Sequence, residues 1–287
     1  MHLPTVREAS LPRKTQILQG LEFGRMVGAE IGPLDKPLVT KAEGRVFYVD
    51  HCNTEALKQR WSSDNAVDTS RLHVDAVWGQ ASLREALEHA HAFELAPAGL
   101  DYIVASHVIE HVPDLISWIR ELRDSLAAAG SVRLAVPDKR FTFDYLRNTS
   151  TPADVFDAFV RKRRTPSGNR VFDFISNLAD IDCAAAWRGE LDQATISRKH
   201  SVETALNLAI DAESTATYHD VHCWVFTPMS FAELMLALGE SHHLEFKCGW
   251  LTPTARDTFE FLVSLIPESD HQVVAQSWRE AKAQLGQ

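Results

Sequence analysis

The chain has 287 residues, 45% hydrophobic and 24% charged, the balance of a globular protein with room for one large domain or a core plus a cap. Its formal net charge of −10 argues against a dedicated nucleic-acid binder. Cys52, Cys183, Cys223 and Cys248 lie far apart without a CxxC pair, which argues against a disulfide framework or a structural zinc site; residues 1–20 hold no signal-peptide core and no apolar run approaches the ~20 residues of a membrane span, so a cytoplasmic setting without membrane insertion is expected.

Arg13 to Phe23 places Ile17, Leu18 and Leu21 at helical spacing before Gly24. Met26 to Ile31 reads as a first strand, broken by Gly32-Pro33. Arg45 to Asp50 is a second strand, rich in β-branched and aromatic residues. Thr54 to Trp61 is a helix capped by Asn53 or Thr54. Leu72 to Asp75 is a short third strand, Leu83 to His91 a helix, and Asp101 to Ala105 a fourth strand. A helix is then expected from near Pro113 to Gly130, with Leu115, Ile116, Ile119, Leu122 and Leu126 on one stripe. Ser131 to Val136 is a fifth strand, stopped by Pro137. This alternation predicts parallel βαβ units and a doubly wound α/β sheet.

After Pro137 the rhythm changes. Residues 145–218 carry helical patterns, such as Pro152 to Val160 and Val202 to Ile210, but no further strand–helix alternation. Pro228 to Leu238 is a helix with Phe231, Leu234, Met235 and Leu238 on one face. Leu244 to Trp250 and Phe259 to Ile266 are close enough to pair as an antiparallel hairpin. The division expected is a core over 1–144, a helical insertion over 145–218, and a segment over 219–287 that completes the core sheet.

Open α/β sheets bind ligands at the carboxyl ends of their strands. Asp50 stands at the tip of the second strand, where a carboxylate accepts hydrogen bonds from both hydroxyls of a ribose. A diphosphate-cradling Gly-x-Gly-x-x-Gly is missing: Gly32 is followed by Pro33-Leu34-Asp35-Lys36-Pro37. The pattern suits an adenosine-type cofactor without phosphates. Beyond the fourth strand lie His107, Glu110 and His111. His107 is the best-placed candidate base, since a neutral imidazole accepts a proton near neutral pH; the bland alternative is a wall of the pocket. His-x-x-Glu-His also matches a zinc-peptidase pattern, but those ligands sit inside a long helix. In Tyr218 to Trp224, an extended chain would turn His219 and His222 to opposite sides, and His222 is the next candidate base. Lys139 and Arg140 either orient an acceptor or pair with Asp138 and Asp144. The run Arg161-Lys162-Arg163-Arg164 is a solvated loop or a contact for an anionic substrate.

These features together resemble a class I S-adenosylmethionine-dependent methyltransferase of the type 11 group, over about residues 25–145. Glu30-x-Gly32, Asp50, Asp75, Ser106 to Asp114 and Ala129 to Pro137 carry the resemblance. It implies a Rossmann-like, mostly parallel seven-stranded sheet with a C-terminal antiparallel hairpin, and S-adenosyl-L-methionine as cofactor. It implies that Glu30 and Gly32 flank the methionine and ribose, that Asp50 holds the ribose hydroxyls, and that Asp75 and Ala76 meet the adenine. Pro33, His51 and Ser106 complete the implied cofactor-binding set. Leu34 and Lys36 depart from the family, which commonly has glycines there. Some similar enzymes hold a divalent cation near the acceptor, which here would need Glu110, His111 and a third group. Residues 137–144, the insertion and 224–231 also resemble methyltransferases of bacterial cell-surface polysaccharide pathways. That implies O-methylation of a small polar or glycan acceptor. The rivals are a nicotinamide dehydrogenase, a metal-dependent hydrolase using His107, Glu110 and His111, and a non-catalytic binding protein. Acceptor, methylated atom, metal requirement and oligomeric state are not legible, nor is the choice between His107 and His222.

Overall fold

The structure is a computed structural model that describes residues 5–6, 11–79 and 81–286, with side chains for all of these but 5 and 6. Eight strands form one sheet: β1 (Thr5–Val6), β2 (Val27–Ile31), β3 (Arg45–Asp50), β4 (Ala76–Val77), β5 (Leu100–Ser106), β6 (Leu126–Pro137), β7 (Phe246–Thr252) and β8 (Glu260–Pro267). Their spatial order is β1-β7-β8-β6-β5-β2-β3-β4. Every pairing is parallel except those of β8, which runs antiparallel to both β6 and β7. The expected seven strands and C-terminal antiparallel pair are therefore present, with the two-residue β1 added at one edge.

The central strands are apolar because helices and loops cover both faces. Within β5 the faces alternate. Ile103 and Ala105 join the larger core, and Tyr102 and Val104 join a smaller one with Ile17, Leu38, Val39 and Tyr48. Gly28 of β2 makes room for the Tyr102 ring, since a Cβ there would lie 2.3 Å from it. The larger core is closed by α3 (Leu83–His89) and α5 (Leu115–Ser125), whose Leu115, Ile116, Trp118, Ile119 and Leu122 are buried. It is extended by α10 (Pro228–Glu240) and α11 (His271–Leu285).

The remaining helices are α1 (Arg13–Ile17), α2 (Thr54–Arg60), α4 (Ala92–Leu95), α6 (Pro152–Val160), α7 (Gly168–Asn177), α8 (Cys183–Arg188) and α9 (Val202–Thr215). Asn53 caps α2 by accepting from Ala56 N–H at 2.9 Å. Four of these, α6 to α9, fall within 145–218, where the described residues hold no named strand. No helix among the described residues is long and apolar enough to cross a membrane.

Three expectations are corrected. The helix ends at Ser125, not Gly130: Leu126 pairs with Leu100, a bulge follows, and Gly130 lets the strand approach the Leu100 carbonyl, 2.7 Å from where a Cβ would stand. The third strand is Ala76–Val77, not Leu72 to Asp75. The C-terminal helix α11 was not expected, although Val274, Trp278 and Ala281 recur at helical spacing and are buried.

Candidate active site

The carboxyl ends of β2, β3, β5 and β6 share one edge of the sheet. Because β8 runs the other way, its first residue arrives at that same edge, and Glu260 pairs in register with Pro137 at the end of β6. Four side chains meet there. His107 Nε2 lies 2.7 Å from Glu260 Oε2. Arg13 clamps the same carboxylate through Nε and through Nη2, which is 2.8 Å from Oε2, and Nη2 also donates to Ser106 Oγ at 2.6 Å. Burial would raise the Glu260 pKa, but His107 and Arg13 together hold it down at about 2. A carboxylate ionised against one imidazole nitrogen fixes the tautomer and leaves the other nitrogen, Nδ1, to accept a proton. His107 has a φ of 55°, held by its N–H on the Ala135 carbonyl at 3.0 Å.

A second cluster lies 3.6 Å from His107 Nδ1, beginning at Glu110. The Glu110 side chain is 0% exposed, and neither carboxylate oxygen has a hydrogen-bond partner. His111 Nε2 and His222 Nε2 each lie 4.0 Å from Glu110 Oε1. His222 Nδ1 is 2.5 Å from Asp144 Oδ2, and the buried Arg147 donates to Asp144 Oδ1 and to Asp173 Oδ2, both at 2.8 Å. His111 Nδ1 is 2.9 Å from Asp220 Oδ1, and Arg60 Nη2 donates to Asp220 Oδ2 at 2.6 Å. Burial depresses the His111 pKa, but Asp220 and Glu110 outweigh it and the net direction is up. His219 turns away and meets Asp211 at 2.8 Å. The segment carrying His222 is laced to the β5 loop: Cys223 and Trp224 N–H both donate to the Glu110 carbonyl, and Trp224 Nε1 to that of Val112 at 2.6 Å.

The residues expected to meet a cofactor divide. Asp50 ends β3 with Oδ1 against His51 N–H at 2.7 Å and His51 Nδ1 at 2.6 Å, and Oδ2 has no hydrogen-bond partner among the described residues. The exposed Gly32 sits in the left-handed region at φ +65° beside the buried Pro33, and Leu34 follows at φ 49°. The loop after β2 then folds onto its own carboxylate: Leu38 and Val39 N–H donate to Glu30 at 2.7 and 2.9 Å. Burial raises the Glu30 pKa to about 7 against the pull of those amides. With its oxygens so engaged, Glu30 shapes the turn rather than presenting a free carboxylate at the edge.

Asp75 does not stand where the resemblance implied. Its carboxylate accepts from Tyr48 N–H at 2.7 Å, Lys41 Nζ at 2.5 Å and His73 Nε2 at 2.9 Å, so it serves the middle of β3, and Ala76 is buried in β4. Sequence reasoning also missed Arg13 and Glu260. Glu260 had a usable signal: the first residue of an antiparallel last strand must reach the edge where the parallel strands end. Of the later charges, Arg140 pairs with the buried Asp138, Arg161 with Asp157 and Arg163 with Glu213. Two surface clefts, of 610 and 680 Å³, lie elsewhere, between α10, α11 and β7 and between α6, α7 and α9.

No protein-family model matches this chain, and no curated protein matches it in sequence. Among solved structures, one from Listeria monocytogenes described as an S-adenosylmethionine-dependent methyltransferase is similar at 12% identity and a TM-score of 0.41, covering 89% of this chain and 98% of its own. A structure from Rhodobacter sphaeroides described as a zinc-dependent alcohol dehydrogenase is similar at 12% identity and a TM-score of 0.48, covering 93% and 92%. The CcbJ methyltransferase of Streptomyces caelestis is similar at 11% identity and a TM-score of 0.30, covering 45% and 50%. Likenesses this distant carry no weight for the reaction, and the architecture stands on the strand order itself.

Proposed function

We propose that this protein is an S-adenosyl-L-methionine-dependent methyltransferase that methylates an oxygen of a small polar or glycan acceptor in the cytoplasm. The observation that carries the reading is the sequence of groups along the carboxyl edge. An Asp50 oxygen left open at the tip of β3, a left-handed Gly32 turn after the neighbouring β2, and a His107–Glu260 pair at the tip of β5 follow one another across the sheet. The resemblance in sequence supports the same assignment. The loop after β2 spends two amides on Glu30, which favours a cofactor without phosphates over a dinucleotide.

The cofactor supplies an activated methyl group. With it bound, the acceptor oxygen would form its bond to the methyl carbon as the sulfur–carbon bond breaks, that electron pair going to sulfur. The chain supplies the rest. Asp50 accepts from the ribose hydroxyls, and Gly32 lets the backbone come close. His107 Nδ1 takes the acceptor's proton, and Glu260 stabilises the imidazolium so formed. Residues 145–218 cover the acceptor side. Support for this comes from α8, where Trp187 stacks on Phe141 at 4.0 Å and donates to the Thr258 carbonyl beside the start of β8. The Phe174 ring of α7 lies 5.5 Å from His222.

Calorimetric titration of the full chain with S-adenosylmethionine, S-adenosylhomocysteine and NAD tests the proposal. Binding of the first two and not the third is expected. Binding of NAD alone would replace the reading with a dehydrogenase, and binding of none would leave a protein that uses the fold without this cofactor.

A further inference from the structure

We propose that Glu110, His111 and His222 form a binding site for one divalent transition-metal ion. The site is independent of which reaction the protein catalyses. Its centre is the Glu110 carboxylate, 0% exposed and without a hydrogen bond to either oxygen, with His107 Nδ1 at 3.6 Å from Oε1. An ionised carboxylate in that setting is costly unless a cation compensates it, and buried polar atoms are otherwise almost always paired. Two imidazole nitrogens face it, His111 Nε2 and His222 Nε2, each at 4.0 Å, with their rings 4.7 Å apart and edge to face.

The outer partners are those that metal-binding histidines require. A histidine ligates through one nitrogen and is oriented by a hydrogen bond or ion pair from the other. Here His222 Nδ1 is hydrogen-bonded to Asp144, His111 Nδ1 is paired with Asp220 by proximity at 2.9 Å without hydrogen-bond geometry, and the Nε2 atom of each faces Glu110. Asp144 is in turn fixed by Arg147 and Asp220 by Arg60. The backbone bonds from Cys223 and Trp224 to the Glu110 carbonyl lock the two ligand-bearing segments together.

Bonds of about 2.0–2.2 Å set ligand atoms roughly 3.0–3.5 Å apart around an ion. The three donors therefore stand slightly open and need only small side-chain rotations to close. Two imidazoles with one carboxylate select zinc, manganese, iron or cobalt over magnesium and calcium, which prefer oxygen alone. Three protein ligands leave positions for water or for an oxygen of a bound small molecule. The competing arrangement has no metal and holds Glu110 between protonated histidines.

The test uses the full chain freed of metal by chelation and dialysis, then titrated with Co²⁺, Zn²⁺, Mn²⁺ and Mg²⁺. The visible spectrum of Co²⁺ reports nitrogen and oxygen coordination directly. One Co²⁺ per chain is expected, displaced by Zn²⁺, with Mg²⁺ failing to compete. Glu110→Gln and His222→Gln should each weaken Co²⁺ binding by 100-fold or more. Asp144→Asn, which touches no ion, should weaken it about 10–100-fold through the orientation of His222. His111→Gln, at a side chain 31% exposed, gives the same reading should the buried variants not fold. Absence of stoichiometric binding would overturn the proposal. So would binding that is unchanged in folded Glu110→Gln or His111→Gln, which would move the ion to Asp50, His51 and Cys52, the other close donor group among the described residues.

Discussion

Glu260 Oε2 and His107 Nε2 are 2.7 Å apart although 153 residues separate them in the chain. The contact exists because β8 reverses direction, which delivers the start of the last strand to the carboxyl edge where β5 ends. If His107 is the base, His107→Ala should lower methyl-transfer turnover about 10²–10⁴-fold. Affinity for S-adenosylmethionine should stay near wild type. The acidic limb of the pH–rate profile should vanish, because a protonated imidazole cannot take the acceptor's proton. Full turnover with an unaltered pH profile would return His107 to a wall of the pocket.

The same pair makes stability depend on pH. Glu260 is held at about 2 in the fold, below the ordinary 4.5 of a free glutamate. A depressed acid contributes stability above its unfolded pKa and loses it as pH falls through the folded one. Wild-type thermal stability should therefore decline between about pH 4.5 and pH 2 more steeply than that of Glu260→Gln. Parallel melting curves in that window would show the pair to be silent.

Glu30 has the opposite sign. Its pKa is raised from 4.5 to about 7 by burial, so the fold favours the protonated acid and loses stability as pH rises across that range. Glutamine cannot ionise, although its amide nitrogen gives up one of the two backbone N–H bonds that the carboxyl oxygens accept. Melting temperatures of wild type and Glu30→Gln should diverge between about pH 4.5 and pH 7, with the variant the flatter of the two.

Asp50→Ala should weaken S-adenosylmethionine binding by roughly tenfold or more, the loss of charge-assisted hydrogen bonds at about 1.5–3 kcal/mol. Calorimetry on the folded variant measures this. Unchanged affinity would remove Asp50 from the ribose site.

Trp278 of α11 is 0% exposed and donates to the Phe246 carbonyl at 3.0 Å. Trp278→Ala should cost about 3–5 kcal/mol in a denaturant titration. A loss below 1 kcal/mol, well under that range, would mean that α11 packs on the sheet without supporting it.

Much of the architecture was legible in the chain because period and chain breaks are local properties. Alternating apolar strands and amphipathic helices, stopped by Gly32-Pro33 and Pro137, predict a doubly wound sheet, and the short gap before β8 predicts its reversal. The positions of Asp50 and His107 were legible for the same reason: a residue at or just past the end of a strand of a parallel sheet must lie at the carboxyl edge. Asp75 was expected at the end of a strand, but the strand is Ala76–Val77, so Asp75 stands before it, where Lys41, His73 and the Tyr48 amide hold its carboxylate, and those partners are a matter of packing. The direction of His222 was likewise undecided in sequence. Only the folded chain sets it opposite Glu110, because Asp144 holds one nitrogen of its ring while the backbone of Cys223 and Trp224 is tied to the β5 loop. Spacing along a chain fixes which element a side chain belongs to. Its partners come from segments far away in sequence, and their approach depends on the energies of the whole core.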